Sequence, residues 1–300
     1  VDLRTGDLLA PDPGLLVTKR CAVGFDPDAK APTFERFMGE VIPNADVRNF
    51  MKRFAGYMLT GLTSEQTFLF LHGLGANGKS VLVEVLLGLL GDYGRKIATE
   101  MLMHHQRSPQ GPSPDIVALK GHRLVVANET EEGRRLAESR VKEMTGDDTL
   151  TGRLPYGREV ITFTPTHKLL MVGNHKPEIT DHSHGMWRRV ALVPFDVTIP
   201  ESDRDPHLVT KLKHEAAGIL NWAMRGLRQY QAGGLAVPPE VKAATHTYRD
   251  EQDLLLEWLN EHFDIGPGLS ERKADVYRAY RVWAAANGHQ PMAQTRLTRR

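Results

Sequence analysis

The segment from Phe68 to Ser80 constrains the fold of this chain more than any other part of the sequence. It opens with four apolar residues, Phe-Leu-Phe-Leu, which have the composition of a buried strand. Gly73, four further residues and then Gly78-Lys79-Ser80 follow, which is the spacing of a phosphate-binding loop. An apolar helix is predicted from Val81 to Leu90. Because the required strand precedes the loop and the required helix follows it, the pattern indicates a nucleotide phosphate site rather than a glycine-rich turn.

Each residue type in this loop has a chemical reason to be there. Glycine leaves room for phosphate oxygens against the backbone, where successive N–H groups form a concave anion site. The N-terminus of the following helix adds the positive end of its dipole. We expect Lys79 to reach the β- and γ-phosphates and the Ser80 hydroxyl to bind Mg²⁺. The predicted ATP contacts are Gly73, Gly75, Ala76, Asn77, Gly78, Lys79, Ser80 and Val81.

Composition limits what surrounds this site. The 300 residues suit one large domain with one or two small additions. The formal net charge is +1, so any nucleic-acid surface has to be local. Cys21 is the single cysteine, which excludes an internal disulfide and fits a reducing cytoplasm. No apolar run has the length of a membrane span, so we expect no membrane partner. The chain starts at Val1 rather than at a methionine, so we expect a fragment of a longer protein.

A second apolar run, Leu124 to Ala127, is followed by Asn128 and Glu129. Strand ends of a parallel sheet point toward the crevice where a nucleotide lies. Glu129 is therefore predicted to polarise the attacking water, and Ser80, Asn128 and Glu129 to hold Mg²⁺. The alternative is a charged turn after a strand, which the charged run from Glu129 to Arg135 would also fit.

A third predicted strand, His167 to Gly173, ends at Asn174. The amide of Asn174 can sense the γ-phosphate or orient water, although asparagine is also common in turns. Arg188 and Arg189 precede a fourth predicted strand, Val190 to Phe195, and they are either solvated or available to the nucleotide of a neighbouring subunit.

Between these strands, residues 150–163 read as a β-hairpin around Pro155-Tyr156-Gly157-Arg158. Its exposed tip can grip a phosphate backbone with Arg153 and Arg158 and stack a base on Tyr156, or it can be a plain surface hairpin. His104 and His105 have no partner at metal-ligand spacing, so surface histidines are expected.

The remaining chain is predicted to be mainly helical. Ala45 to Leu59 forms a helix, residues 1–30 form turns and short strands, and Asp205 to Gln231 forms one long amphipathic helix. Helices are also expected at 238–248, 253–263, 271–286 and 290–300. The last two fit either a small DNA-binding module or a helical bundle with a basic end.

In this order, five motifs resemble those of the superfamily 3 helicases, a branch of the AAA+ ATPases, and in particular the phage and plasmid primase–helicases, which share this region with the poxvirus primase–helicase. The motifs are Gly-Ala-Asn-Gly-Lys-Ser, Val-Val-Ala-Asn-Glu-Thr-Glu-Glu-Gly, Lys142 to Asp147, Val-Gly-Asn-His-Lys-Pro and Met-Trp-Arg-Arg-Val. Leu3 to Leu9 and Leu59 to Gln66 resemble the small domain that precedes the helicase, and Val276 to Trp283 resembles a C-terminal winged-helix module.

The resemblance implies a fold and a set of roles. It implies an α/β fold, a phosphate-loop AAA+ core with a parallel sheet, a small N-terminal accessory region and a truncated winged-helix-like module. The corresponding boundaries are 1–62, 63–200, 201–264 (a helical lid) and 265–300. It further implies that Lys79, Glu129 and Asn174 act in ATP hydrolysis, that Arg188 or Arg189 is donated in trans, and that the 150–163 hairpin tracks single-stranded DNA.

The expected function is that of an ATP- and Mg²⁺-dependent DNA helicase from a phage, prophage or plasmid replication protein. It would act as a ring oligomer, expected to be a hexamer, in the cytoplasm of a bacterial host, with 3′-to-5′ polarity implied by the resemblance. The first alternative is an AAA+ initiator or loader that remodels DNA without processive unwinding. A small-molecule kinase would ignore DNA, and a module that uses ATP only as an assembly switch would hydrolyse it negligibly.

Overall fold

The structure, a computed structural model, describes residues 1–104, 113–128, 132–264, 266–288 and 291–297. Its strands are β1 (Phe68–His72), β2 (Gly94–Ile97), β3 (Leu124–Asn128), β4 (Leu150–Gly152), β5 (Ile161–Phe163), β6 (Lys168–Gly173) and β7 (Val190–Pro194). Its α-helices are α1 (Pro32–Val41), α2 (Ala45–Met58), α3 (Lys79–Leu90), α4 (Pro114–Val117), α5 (Glu138–Thr145), α6 (His184–Trp187), α7 (Leu208–His214), α8 (Ala216–Gly233), α9 (Pro239–Glu251), α10 (Leu254–His262), α11 (Lys273–Ala286) and α12 (Gln294–Leu297).

Five strands form a parallel sheet in the order β2-β3-β6-β1-β7. This confirms the predicted α/β core with a parallel sheet. The register pairs His72 of β1 with Gly173 of β6, and Asn128 of β3 with Val172 of β6. The carboxyl ends of β1, β6 and β3 therefore lie side by side at one edge of the sheet.

The predicted hairpin is present as a separate two-stranded antiparallel sheet. Leu150 pairs with Phe163 and Gly152 with Ile161, so β4 and β5 enclose a tip from residue 153 to residue 160.

The N-terminal helices belong to the same core as the sheet. Helix α2 packs directly on α8, and their backbones approach closely at Gly56 and Gly226. A Cβ on Gly226 would overlap the main-chain oxygen of Lys52, and one on Gly56 would overlap the main-chain nitrogen of Leu227. Glycine at both positions is what lets the two helices pack at this distance.

The single long helix predicted from Asp205 to Gln231 is wrong, because α7 and α8 are separate helices that meet at Glu215. The Glu215 carboxylate accepts hydrogen bonds from the backbone N–H groups of Thr33, at 3.0 Å, and Phe34, at 2.9 Å. Glu215 thus occupies the free donors at the start of α1, and the helix is interrupted at this residue.

Three further expectations are corrected. Strand β2 is absent from the sequence prediction, because its residues Arg95 and Lys96 are polar and exposed at the sheet edge. Residues 1–31 contain turns and one short 3₁₀ helix but no strand. The sequence also predicts a helix from Leu136 to Met144, but α5 starts at Glu138, because Leu136 forms an isolated bridge with Met103.

The chain divides into two compact units, Val1–His246 and Thr247–Arg300. The second unit has its own small core, in which Trp258 packs edge-on against Tyr280 with ring centroids 5.3 Å apart. The four-part division at residues 62, 200 and 264 stays a prediction. Across the described residues, no helix combines the length and apolarity that a bilayer span requires.

Candidate nucleotide site

Lys79 is the first residue of α3 and only 4% exposed. Its Nζ donates to the main-chain oxygen of Gly73 at 2.6 Å, to Oδ1 of Asn77 at 2.9 Å and to Oδ1 of Asn174 at 3.2 Å. All three acceptors are uncharged, and burial lowers the pKa of the amine. An anion brought to this position would supply the negative charge that these three acceptors lack.

Asn77 anchors the phosphate loop to the segment that follows β7. Its side chain is 3% exposed, and Nδ2 donates to the main-chain oxygen of Phe195 at 3.0 Å while Oδ1 accepts from Lys79. The N–H of Ile199 also donates to the main-chain oxygen of Ala76 at 2.8 Å. The segment that follows β7 thus holds the phosphate loop in place.

The three loop glycines serve different purposes. A Cβ on Gly73 would overlap the Phe195 oxygen, and one on Gly78 would lie 2.6 Å from Val41. A Cβ on Gly75, where φ is +109°, would have no heavy atom within 4 Å. Packing within the protein therefore requires glycine at 73 and 78, whereas Gly75 faces the open space that a phosphate can occupy.

The next two loop residues face outward at the start of α3. Ser80 is exposed and Val81 is half-buried. Helix α3 is 12 residues long, with Gly78 at its N-cap, so its dipole points its positive end at the loop. The Ser80 hydroxyl is thus available to a metal ion beside the phosphates.

A cleft of about 760 Å³ opens at the ends of β2, β3 and β6. Asn128 and Asn174 line it, as predicted for the strand ends. Glu132 and Arg134 also line it, and sequence reasoning missed both because they belong to a charged run without periodicity. Glu129, the predicted water-activating base, lies outside the described residues.

The described residues contain no cluster of three or more His, Cys, Asp or Glu side chains that suits a metal. Ser80 and Asn128 can offer oxygen ligands to Mg²⁺, and the acid expected beside them is Glu129. His104 is exposed, as expected of a surface histidine, and His105 lies outside the described residues.

A second cleft, of about 900 Å³, adjoins the loop. Gly78 and Val81 form one wall, Phe37 of α1, Ile199 after β7 and Leu208 of α7 supply apolar surface, and several charged side chains complete the lining. No local sequence pattern marks this cleft, because its walls come from three distant parts of the chain.

Arg188 and Arg189 lie at the opposite edge of the sheet from the loop. Val190 pairs with Phe68 at the start of β1, whereas Pro194 pairs with His72 at its end. Arg188 is exposed and donates through Nη2 to Oε1 of Gln66. Arg189 is half-buried and donates through Nη1 to the main-chain oxygen of Gly185.

The hairpin tip places its three predicted DNA contacts in solvent. Arg153, Tyr156 and Arg158 are all exposed, and Tyr156 has a left-handed backbone with φ of +62°. Leu154 and Val160 are exposed beside them. A fully exposed aromatic ring flanked by two arginines provides a surface on which a base can stack.

Two family models match this chain. Residues 71–189 match "Family of unknown function (DUF5906)", and residues 1–43 match "D5 N terminal like".

Viral proteins are similar to most of its length. The chain is 28% identical over 272 residues to "Putative helicase L207/L206" of Acanthamoeba polyphaga mimivirus, which covers 84% of this chain and 28% of that protein. It is 28% identical over 282 residues to "Putative helicase 022R" of Frog virus 3, covering 87% and 29%. It is 24% identical over 291 residues to "Putative primase C962R" of African swine fever virus, covering 90% and 30%. The chain thus spans less than a third of the length of these relatives.

Solved structures agree with the fold. The apo A form of the NrS-1 C-terminal region superposes with a TM-score of 0.54 at 13% identity, covering 78% of this chain and 55% of that one. A second apo structure of that region has a TM-score of 0.53 at 14% identity, covering 93% and 61%. The chain is therefore a homologue of viral proteins that are named putative helicases and putative primases, and the predicted resemblance to viral replication proteins of this kind is confirmed.

Proposed function

We propose that this chain is the ATP-hydrolysing helicase part of a replication primase–helicase, with the AAA+ architecture of superfamily 3. One observation carries the proposal: Lys79, on the phosphate loop, contacts Asn174, at the end of the adjacent strand, and both lie at the sheet edge where Asn128 ends β3. The names of the viral relatives, which describe helicases and primases, support the same function.

At this edge each residue has a task in phosphoryl transfer to water. ATP bound with Mg²⁺ supplies the phosphoryl group. Lys79 holds the phosphates, Ser80 and Asn128 offer oxygens to the metal, Glu129 accepts a proton from water, and Asn174 orients the water or the γ-phosphate. The phosphate loop does this without covalent chemistry, by position and charge.

The 900 Å³ cleft is the proposed place of the adenine base. It opens directly beside Gly78 and Val81 of the loop, and its walls carry the apolar side chains of Phe37, Ile199 and Leu208 among several charged ones. Apolar side chains can pack against a base while polar groups fix its orientation, which is the usual character of a small-molecule site.

Arg188 is the proposed trans-acting arginine. Val190, which follows the two arginines, is four residue steps along β7 from Pro194 at the loop end of the sheet, a distance of about 13 Å. Neither arginine can therefore reach the ATP of its own chain. Arg188 is exposed and its contact is with the side chain of Gln66, whereas Arg189 is half-buried against Gly185, so Arg188 is the one proposed to enter a neighbour's site. This requires a ring oligomer, for which we propose a hexamer.

The hairpins of such a ring would contact single-stranded DNA through Arg153, Tyr156 and Arg158. We propose that the chain is part of a phage, prophage or plasmid replication protein that acts in the cytoplasm of a bacterial host.

The test is steady-state ATP hydrolysis by wild type and Lys79→Ala, with and without single-stranded DNA, over a range of protein concentrations. The proposal predicts that turnover per subunit rises with DNA and with concentration and that Lys79→Ala is inactive. Turnover that ignores DNA and is linear in protein would contradict it. A forked-duplex displacement assay then separates a helicase from a loader, which would hydrolyse ATP without unwinding.

A further inference from the structure

The segment that follows Asn174, residues 174–181, is fastened to helix α5 by side-chain hydrogen bonds. Oε1 of Glu138, the first residue of α5, accepts from the N–H of Thr180 at 2.8 Å, from its Oγ1 at 2.9 Å and from the N–H of Asp181 at 3.2 Å. One carboxylate oxygen thus holds the far end of the segment whose first residue contacts Lys79.

One turn further along α5, Lys142 forms an ion pair with Asp181. Burial raises the pKa of Asp181, but hydrogen bonds from Lys142 and Ser183 outweigh it and lower that pKa to about 2. The Asp181 carboxylate is therefore ionised at neutral pH. This charge-assisted hydrogen bond is a second attachment of the segment to α5, beside that of Glu138.

Backbone pairing reinforces the same junction. The N–H of Leu136 donates to the oxygen of Glu178 at 2.8 Å, and the N–H of Glu178 donates to the oxygen of Arg134 at 2.9 Å. Arg134 lines the cleft that Asn174 also lines. The junction therefore touches both the strand-end cleft and the start of α5.

The other end of α5 leads to the hairpin. The helix ends at Thr145, and β4 starts at Leu150, five residues later. Val141 and Met144 are fully buried, which anchors the helix along its length. In between, Oδ1 of Asp147 accepts from the Thr63 hydroxyl at 2.6 Å. An eight-residue helix spans about 12 Å, so α5 is a short rigid link between the two regions.

Resting on the proposed function, we propose that Glu138, Lys142 and Asp181 are positioning residues that couple the nucleotide site to the DNA hairpin. A shift of Asn174 toward a bound phosphate moves residues 174–181, and the two attachments pass that shift to α5 and to the root of β4. None of the three lines either cleft beside the phosphate loop or belongs to the hairpin tip, so their removal should leave each ligand's own affinity nearly unchanged while the coupling is lost.

Coupling between two ligands is reciprocal and typically amounts to about 5–150-fold in affinity. The experiment measures the affinity of the full chain for single-stranded DNA with and without a non-hydrolysable ATP analogue, and for the analogue with and without DNA. The variants are Glu138→Ala, Lys142→Asp, Asp181→Lys and the double charge swap Lys142→Asp/Asp181→Lys. Glu143→Ala is the matched control, since it removes the 3.2 Å ion pair of Arg140 with Glu143 from the same helix without touching residues 174–181.

The quantity compared is the coupling ratio, which is the affinity for one ligand with the other present divided by the affinity without it. We expect a coupling ratio of about 5–150 in the wild type and in Glu143→Ala, and a coupling ratio near one in the three single variants. The double charge swap should restore the wild-type coupling ratio. Because folding of a single variant can fail, the swap and the melting temperature of every protein are measured alongside. Folded single variants that keep the wild-type coupling ratio would overturn this inference but not the proposed function. A double swap that folds like wild type and has a coupling ratio near one would do the same. A wild type that binds both ligands with a ratio near one would also overturn it, whereas a wild type that binds neither would overturn the proposed function with it.

Discussion

Nζ of Lys79 donates a hydrogen bond to Oδ1 of Asn174 over 3.2 Å, across a sequence separation of 95 residues. Adjacent pairing of β1 with β6 brings them together, because the loop follows β1 and Asn174 follows β6. The phosphate loop and the strand-end amide, inferred separately from two motifs, therefore occupy one site.

Replacing Asn174 by alanine should slow ATP turnover without preventing ATP binding. Loss of one oriented polar group from a hydrolytic site lowers kcat by about 10²-fold or more, whereas the loop contacts of Lys79 remain. Steady-state hydrolysis and nucleotide binding measure the two effects. Leu74→Ala is the control, since Leu74 is on the same loop and 90% exposed. Wild-type kcat in Asn174→Ala would contradict the role of Asn174.

Truncating the hairpin tip should weaken binding of single-stranded DNA. Tyr156→Ala is expected to lose about 1–3 kcal/mol of base stacking, and Tyr156→Phe, which keeps the ring, should bind nearly as wild type. Arg153→Ala and Arg158→Ala should each reduce the slope of log K against log salt by about 0.7. Fluorescence anisotropy at several salt concentrations measures both quantities. Unchanged slopes would show that the arginines do not contact phosphate.

The contact between α2 and α8 predicts opposite effects for two glycine substitutions. Gly226→Ala forces a Cβ onto the Lys52 oxygen and should lower the free energy of unfolding by about 1–3 kcal/mol or more. Gly39→Ala, inside α1 with no atom within 4 Å of the new Cβ, should raise it by about 0.5–1 kcal/mol. Urea denaturation measures both. Equal effects would refute the close helix approach.

Stability should depend on pH through Lys168, which is buried at the start of β6, 4.5 Å from the ring centroid of Tyr57. Burial, with a smaller effect of Arg123, lowers the pKa of Lys168 from 10.5 to about 6. Between these values the unfolded chain binds one more proton, so the free energy of unfolding rises with pH, by at most about 1.4 kcal/mol per pH unit. Urea denaturation at about pH 6.5 and about pH 8.5 should give a smaller rise in Lys168→Met than in wild type. Parallel changes in both proteins would contradict the shift.

Periodic and motif signals predict the central part of this fold. The helix expected at 45–59 is found at Ala45–Met58, and the loop, the strand ends and the hairpin are where their sequences place them. These elements are determined locally, by apolar spacing and by turn residues.

Elements that depend on distant contacts escape such a prediction. The break at Glu215 arises from hydrogen bonds to Thr33 and Phe34, although glutamate itself favours a continuous helix. Strand β2 has polar exposed residues and is a strand only because it pairs with β3. Glu132 and Arg134 reach the cleft through the backbone pairing of residues 134–136 with Glu178, which leaves no local pattern.

Steady-state ATP hydrolysis also tests which of Arg188 and Arg189 acts on the ATP of a neighbouring subunit. Arg188→Ala should lower turnover by roughly 10³-fold or more, the usual value of such a residue. Arg189→Ala should mainly lower the melting temperature, because Arg189 is half-buried and contacts Gly185. The reverse pattern would exchange the two roles.

The most direct test of a shared ATP site is a mixing experiment with Arg188→Ala and Lys79→Ala. Each variant alone should be nearly inactive, one lacking the arginine and the other the phosphate lysine. In a mixed ring, the intact loop of one subunit meets the intact arginine of the next, so ATP hydrolysis should rise well above the sum of the separate activities. A mixture no more active than that sum, at concentrations where the wild type assembles, would contradict an ATP site built from two subunits.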